Sequence, residues 1–341
     1  MKQLFATVLC FFLFSVVSAK EPVLTSRLAY VQRIGGTTSA VVMVNEDLTT
    51  KSLLMPGHIN SVQWTTDGSL VFELYNGLLH TIWKWTPALN RNIKLSPVAA
   101  DASLPHVMAD GSIWYVIQTE STHQLWKMDS EGYNQQKLSE FHREATRYFS
   151  FSTESLVAYT TGRSAMPLEF VTQGLAFGGF GTAGVNVFPM LSPDGHFITI
   201  EDWVDGQNRI GFANITDNLD DIEYPDLKIP SSHVLSWGPN SRFVVLARYF
   251  PQQTGTELYT WNLEGDPVWQ FNWTSTIVEA LFSNDKNFIA FVTSEDKTES
   301  NGALYIRNPD TNELFAIGFG RHPVWEQTMS NPVEIPNSIP V

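Results

Sequence analysis

LSPDGHFITIED, Leu191–Asp202, is the stretch that decides the fold. An apolar residue leads into a turn at Asp194-Gly195, and the run after it alternates in period two, as a half-buried strand does. Weaker copies lie on both sides: WTTDGSLVFEL at Trp64–Leu74, MADGSIWYVIQ at Met108–Gln118 and FSTESLVAYTT at Phe151–Thr161 before it. WGPNSRFVVLA at Trp237–Ala247 and FSNDKNFIAFVTS at Phe282–Ser294 follow it. The turn markers Asp67, Asp110, Thr153, Asp194, Asn240 and Asp285 are 43, 43, 41, 46 and 45 residues apart. Between markers the chain reads as four strands. In the first unit these are Ile59–Trp64, Ser69–Leu74, Leu78–Trp85 and Asn92–Leu95; in the second, Leu104–Met108, Ile113–Gln118, Gln124–Asp129 and Gln136–Ser139. No capped helix is visible.

A repeat of about 43 residues with four strands per unit is the signature of a β-propeller, because a four-stranded sheet cannot bury both its faces without neighbours. Six units fill about 59–321. Left over are three strand-like runs at the start, Arg27–Arg33, Ala40–Asn45 and Lys51–Met55, and one near the end, His322–Gln327. Trp325 stands 43 residues after Phe282 and takes the place of Trp64, Leu191, Trp237 and Phe282. The expected fold is therefore all-β, a seven-bladed propeller of four-stranded blades whose last blade is shared by both termini. That arrangement closes the ring by backbone pairing and removes two open edges. A six-bladed ring with loose ends is the alternative.

The first nineteen residues read as a signal peptide. Lys2 precedes an apolar run, Leu4–Val17, and Val17-Ser18-Ala19 is a small-residue cleavage site. The expected organisation is 1–19 signal peptide, 20–330 one propeller domain and 331–341 an extended tail with three Pro. The single cysteine, Cys10, falls in the removed segment, so disulfides and thiolate metal sites are not expected in the mature chain. Export without disulfides suits a periplasmic or secreted protein. The net charge of −14 becomes −15 without Lys2. An acidic exported chain does not attract nucleic acid or anionic lipid, and no membrane insertion of the mature chain is expected. A charged fraction of 16% beside 13% aromatics suits short packed strands.

The pattern W-S-P-D-G-x-x-I-x-F, here LSPDGHFITI and its variants, resembles the TolB-type propeller repeat over about 59–327. Members of that family carry an α/β domain before the propeller; repeat-like sequence here starts by about Arg27, so a stand-alone propeller is expected. The resemblance implies a protein-binding role, with an envelope or secreted partner, and it also implies an enzyme precedent. Oligogalacturonate lyases are propellers of this type with a metal held by His and Gln in the channel, but no run here matches their ligands.

First strands line a propeller's channel, and the connections leading into them open on one face. Five of the eight His fall in such connections: His58, His106, His142, His233 and His322, with Arg143, Arg147 and Arg321. Imidazoles and guanidinium groups around one mouth could bind a carboxylate or phosphate, or several His could hold a divalent metal. QGLAFGGFGTAG, Gln173–Gly184, interrupts the repeat with five Gly and two Phe. It reads as a floppy edge or a loop through which Phe177 and Phe180 touch a partner. No G-x-S-x-G, H-E-x-x-H or Walker pattern occurs, and no cofactor is expected. Asp67 and Asp194 read as turn residues, and the acidic stretch Asp217–Asp226 lacks calcium-loop spacing. The expectation is a binding module or scaffold of the cell envelope; the alternative is a channel-metal lyase or hydrolase acting on an anionic carbohydrate.

Overall fold

The computed structural model describes residues 23–142, 146–153, 156–161, 168–172, 175–180, 188–204, 207–215, 232–249, 255–263, 267–294 and 301–327. The expected signal segment 1–19, the expected tail 331–341, Arg143 and the acidic stretch 217–226 lie outside these residues. The described residues form strands and no helix. The period-two reading of the repeat is what they adopt.

His58–Trp64, Leu70–Tyr75, His80–Thr86 and Arg91–Lys94 make one antiparallel sheet, each strand beside the next in sequence. Three further sheets repeat this meander with four strands, and one around Phe197–Val204 has three. The strands run up to three residues off the sequence expectation at their ends. The Gly-rich segment, described over 175–180 and outside the described residues at 173–174 and 181–184, takes the edge position rather than the loop. Leu175–Phe180 is an edge strand, paired with Leu168–Thr172 in the register Phe170↔Phe177 and Leu168↔Phe180. A partner strand supplies the backbone hydrogen bonds that glycine alone does not hold in place, so the repeat continues where composition predicted a break.

The ends of the chain meet in a seven-stranded sheet. Its order is Thr276–Phe282, Ile289–Ser294, Gly302–Arg307, Leu314–Trp325, Leu28–Gly35, Thr38–Val44 and Thr50–Pro56. Leu314–Trp325 serves two partners. Its first half pairs with Gly302–Arg307, from Arg307↔Leu314 to Gly302↔Gly320, and its second half pairs with the first strand at Val31↔Arg321 and Leu28↔Trp325. The sequence reading put Arg321 and His322 in a connection; the backbone instead passes straight through, bending at His322, whose φ is 53°. Gly320 marks the crossing, since a Cβ there would lie 2.3 Å from Tyr30 and 2.6 Å from the Val31 carbonyl. Arg27 Nε donates to Glu326 Oε2 at 2.6 Å and Glu326 N to Arg27 O at 2.8 Å, which fastens the two ends side by side.

Alternation along one strand builds two cores. Leu70, Phe72 and Leu74 pack with Val41, Met43, Ile59, Trp64 and Trp85, whereas Val71, between them, packs with Ile82, Val107, Ile113 and Tyr115 of the next unit. Each such side chain contributes about 1.5–3 kcal/mol by leaving water. Tryptophans at the repeated position sew neighbouring first strands together: Trp64 Nε1 donates to Val324 O at 3.1 Å, Trp325 to Leu281 O at 3.3 Å and Trp237 to Met190 O at 2.8 Å. The turns are closed by their own aspartates. Asp194 accepts from Ser192 Oγ and His196 N, and Asp285 from Ser283 Oγ and Asn287 N, so these carboxylates act in the fold.

Candidate functional site

First strands surround a cavity of about 440 Å³. Its wall takes one or more residues from each of five units, among them Ser61, Gln63, His106, Ser236, Glu279 and His322. A second space of about 610 Å³ shares Ser236, Leu281, Val324, Trp325 and Gln327 with the first and extends to the turn face at Thr66, Pro193 and Asp285. The two form one axial channel.

Gln63 and His106 occupy the same place in successive units, one residue before Trp64 and Val107. The amide of Gln63 is oriented by the backbone: Val107 N donates to its Oε1 at 2.8 Å. Its Nε2 therefore donates to His106 Nδ1, 3.0 Å away, and the imidazole proton sits on Nε2. Burial lowers the imidazole pKa to about 4, so the ring is neutral at pH 7. Its face stacks on Phe151 at 5.2 Å, and Nε2 is buried without a hydrogen-bond partner. The hydroxyls of Ser61 and Ser236 are likewise buried and unpartnered.

At the mouth the imidazoles face carboxylates. His233 Nδ1 lies 3.0 Å from Glu201 Oε2, and Glu201 Oε1 accepts from Val234 N at 2.5 Å. His322 Nδ1 lies 3.3 Å from Glu279 Oε1, and Glu279 Oε2 accepts from His322 N at 2.6 Å. His80 Nδ1 lies 2.9 Å from Asp101 Oδ1. Each pair bridges one unit to the next. Glu73 does the same, accepting from Asn60 Nδ2 at 2.7 Å and Leu104 N at 2.8 Å, with His80 Nε2 3.8 Å from its Oε1. Beside His233, burial and then the charge of Glu201 push the Tyr249 phenol up to about 12, so it stays protonated and donates to Ile277 O.

The expected ring of imidazoles is thus divided. His106 lies inside the channel; His233 and His322 stand at the mouth, each about 45% exposed and facing a carboxylate. His58 begins its strand with Nδ1 buried and unpartnered. Arg321 is the first residue to pair with the N-terminal strand, and its Nε and Nη2 are buried without a partner. His142 and Arg147 lie on the strands Gln136–His142 and Thr146–Phe151, and Phe177 and Phe180 on Leu175–Phe180; the side chains of these four lie outside the described residues. Sequence reading missed Gln63, Glu73, Glu201 and Glu279. A signal existed for two of them: Glu73 and Glu201 recur six and seven residues after the turn aspartate, a charge placed inside an apolar strand.

Among the described residues no group of three His, Cys, Asp or Glu side chains comes together as metal ligands. Gln63 turns its amide nitrogen, not its oxygen, toward His106. The donor set of the described residues does not fit a channel metal.

No family model matches the sequence, and no curated protein matches it. Solved structures do match in shape. TolB from Acinetobacter baumannii superposes with a TM-score of 0.53 at 13% identity, covering 89% of this chain and 67% of that one. An oligogalacturonate lyase from Vibrio parahaemolyticus gives 0.62 at 13%, covering 84% and 85%. Puromycin hydrolase gives 0.63 at 12%, covering 86% of this chain and 52% of the hydrolase. The fold is a TolB-like β-propeller. Proteins of this shape include both binding proteins and enzymes, so shape alone assigns no activity.

Proposed function

We propose that this chain is a seven-bladed propeller, exported on removal of residues 1–19, that works in the cell envelope as a binding module for another protein. The blade count rests on the sheet order: five meanders, plus a seven-stranded sheet that holds one complete unit and a second closed by both termini. The signal-like N-terminus, the absence of cysteine after Cys10 and the acidic charge support an exported, soluble chain.

One observation carries the binding reading. Because all strand pairs are antiparallel, connections between second and third strands open on the same face as those between units. That face carries Ile34, Leu78, Val98, Leu104 and Phe319, large apolar side chains left exposed, with Leu78 at 85% and Val98 at 90%. The imidazole–carboxylate pairs stand among them. Exposed apolar groups rimmed by polar ones are what a protein contact uses. The turn face carries Leu89, Tyr133 and Leu314 among the described residues.

The test is crosslinking of tagged protein in its native envelope, repeated with the triple variant L78S/V98S/F319S. A stoichiometric partner that the triple variant loses supports the reading. A partner retained by the variant, or no partner together with manganese-dependent cleavage of oligogalacturonate, overturns it and favours the lyase alternative.

A further inference from the structure

The strands Leu28–Gly35, Thr38–Val44 and Thr50–Pro56 form a leaf whose internal ladders are local and whose join to the rest of its sheet is not. Its two hairpins pair from Leu28↔Val44 to Gly35↔Thr38 and from Thr38↔Pro56 to Val44↔Thr50. The join to Leu314–Trp325 is shorter: Leu28↔Trp325, Ala29↔Val324 and Val31↔Arg321, with a register shift between Ala29 and Val31. The Arg27–Glu326 pair beside it spans 299 residues of sequence. The leaf is buried on both faces. Ala29, Val31, Val41 and Met43 pack with Ile59, Val62 and Trp64, which follow the leaf directly in sequence. Leu28, Tyr30, Val42 and Val44 pack with Phe288, Val292, Leu304 and Trp325, at the far end of the described chain.

The entropy cost of closing a loop rises with its length, so contacts of long sequence separation form late. While the sheets between are unfolded, the join must close a loop of 299 residues. Once they are folded and stacked in order, its two sides stand next to each other. The contacts that fasten the join need both sides. Arg27 pairs with Glu326 at one end. At the other, Arg33 N donates to Asn301 Oδ1 at 2.9 Å and Asn301 Nδ2 donates to Arg33 O at 2.7 Å. Between them Tyr30 lies over Gly320, where a Cβ would be 2.3 Å from its ring. None of these contacts can form until both ends of the chain are present.

We propose that the leaf is a strap that closes the ring last. Before closure it lies on the unit that follows it and leaves bare the face made by Leu28, Tyr30, Val42 and Val44, together with the unpaired edge of Leu28–Gly35. An apolar face beside an open edge is where an unfinished chain associates with another copy of itself. Closure covers both at once. It also sets Arg33, next to the exposed Ile34, against Asn301, so this part of the rim is complete only in the closed ring. No partner at the rim is needed for the strap to act in this way.

The experiment follows refolding of the chain from Lys20 to Val341 out of urea by pulse-labelled hydrogen exchange, with prolyl isomerase present so that proline isomerisation does not set the rate. Beside it runs a circular permutant of the same residues, cut between Gly57 and His58 with Val341 joined to Lys20, in which the strap follows Leu314–Trp325 in sequence. In the natural order the amides of Leu28–Val44 should gain protection at least about tenfold later than those of Leu70–Tyr75 and Ile113–Gln118, and the refolding yield should fall as protein concentration rises. In the permutant the strap should gain protection with Ile289–Ser294, and the loss of yield should shrink. Glu326→Ala removes a fastener of the finished join, so it should speed unfolding and leave the protection rate of Leu70–Tyr75 within about twofold of wild type. Protection of Leu28–Val44 together with or before Leu70–Tyr75 overturns the proposal whether or not the permutant folds. So does a permutant of wild-type urea midpoint that keeps the delay. So does a Glu326→Ala chain in which Leu70–Tyr75 is protected several-fold more slowly, because the join would then form early.

Discussion

Removing the Glu73 carboxylate tests whether the mouth is held by carboxylates reaching from one unit to the next. Glu73 is 4% exposed and accepts from Asn60 Nδ2 and from Leu104 N. Leu104 needs this hold. Its φ is 53°, a left-handed conformation that costs a leucine about 1–3 kcal/mol, and its N–H faces out of the ladder at a register shift between Ser103 and His106. A hydrogen bond to a charged group is worth about 1.5–3 kcal/mol. Two such bonds lost give about 3–5 kcal/mol for Glu73→Ala. Glu73→Gln keeps one acceptor and turns a donor toward the other, costing about 1.5–3 kcal/mol. At about 2 °C per kcal/mol for a chain of this size, the melting temperature should fall by about 6–10 °C for alanine and by half that for glutamine. Circular dichroism melts and urea titration read both. Burial of a charge is itself costly, and an apolar isostere can outdo a buried ion. The reasoning fails if Glu73→Leu is as stable as wild type, because desolvation would then outweigh the two bonds. It also fails if Glu73→Ala costs under about 1 kcal/mol, the worth of an ordinary hydrogen bond.

Three further outcomes follow from the same geometry. His106 stays neutral in the folded protein down to about pH 4, while an unfolded histidine takes a proton below about 6.5; its contribution to stability is therefore full above pH 6.5 and falls by up to about 3 kcal/mol as the pH drops to 4, so the wild-type stability profile over that window should be steeper than that of His106→Gln. Trp325 is 3% exposed and ties the closing strand to Leu281; Trp325→Ala should cost about 3–5 kcal/mol and raise protease sensitivity at both chain ends, and a loss under about 1 kcal/mol would mean the ring does not depend on this closure. Lys84 Nζ is buried between Asp67 at 2.9 Å and Glu131 at 2.6 Å, whose carboxylates are half exposed. Lys84→Met should lie within about 1 kcal/mol of wild type because both acids regain water, whereas Asp67→Ala strands a buried ammonium with one partner and should cost about 2–4 kcal/mol; equal effects in a urea titration would refute the asymmetry.

The repeat was legible because its signals are local. Asp67-Gly68 and Asp194-Gly195 announce turns, and alternation such as Leu70, Val71, Phe72 announces a strand buried on both faces, since each residue packs into a different core. The shared sheet was legible too, because Trp325 keeps its distance of 43 residues from Phe282 although its partner strand begins at Leu28. The Gly-rich stretch left edge and loop open because glycine content reports backbone freedom in the unfolded chain, while an edge strand is decided by the ladder it joins. The site was legible only as a list of residues near one mouth. Counting His58, His106, His233 and His322 together treats them as equivalent, yet His106 answers to Gln63, and only His233 and His322 face a carboxylate, each from another unit: Glu201 is 32 residues before His233 and Glu279 is 43 before His322. No local window shows such a pair, but the repeat does. Residues one place before the marker, Gln63, His106, Ser236, Leu281 and Val324, all line the channel, so once the period is known the wall can be read from the sequence column by column. These five are one amide, one imidazole, one hydroxyl and two aliphatics, and Ser150 and Met190 take the same place in the other two units, so the column holds no charge. Of the charged groups that suggested an anion site, His233 and His322 meet carboxylates at the rim, whereas Arg321 Nε and Nη2 are buried without a partner.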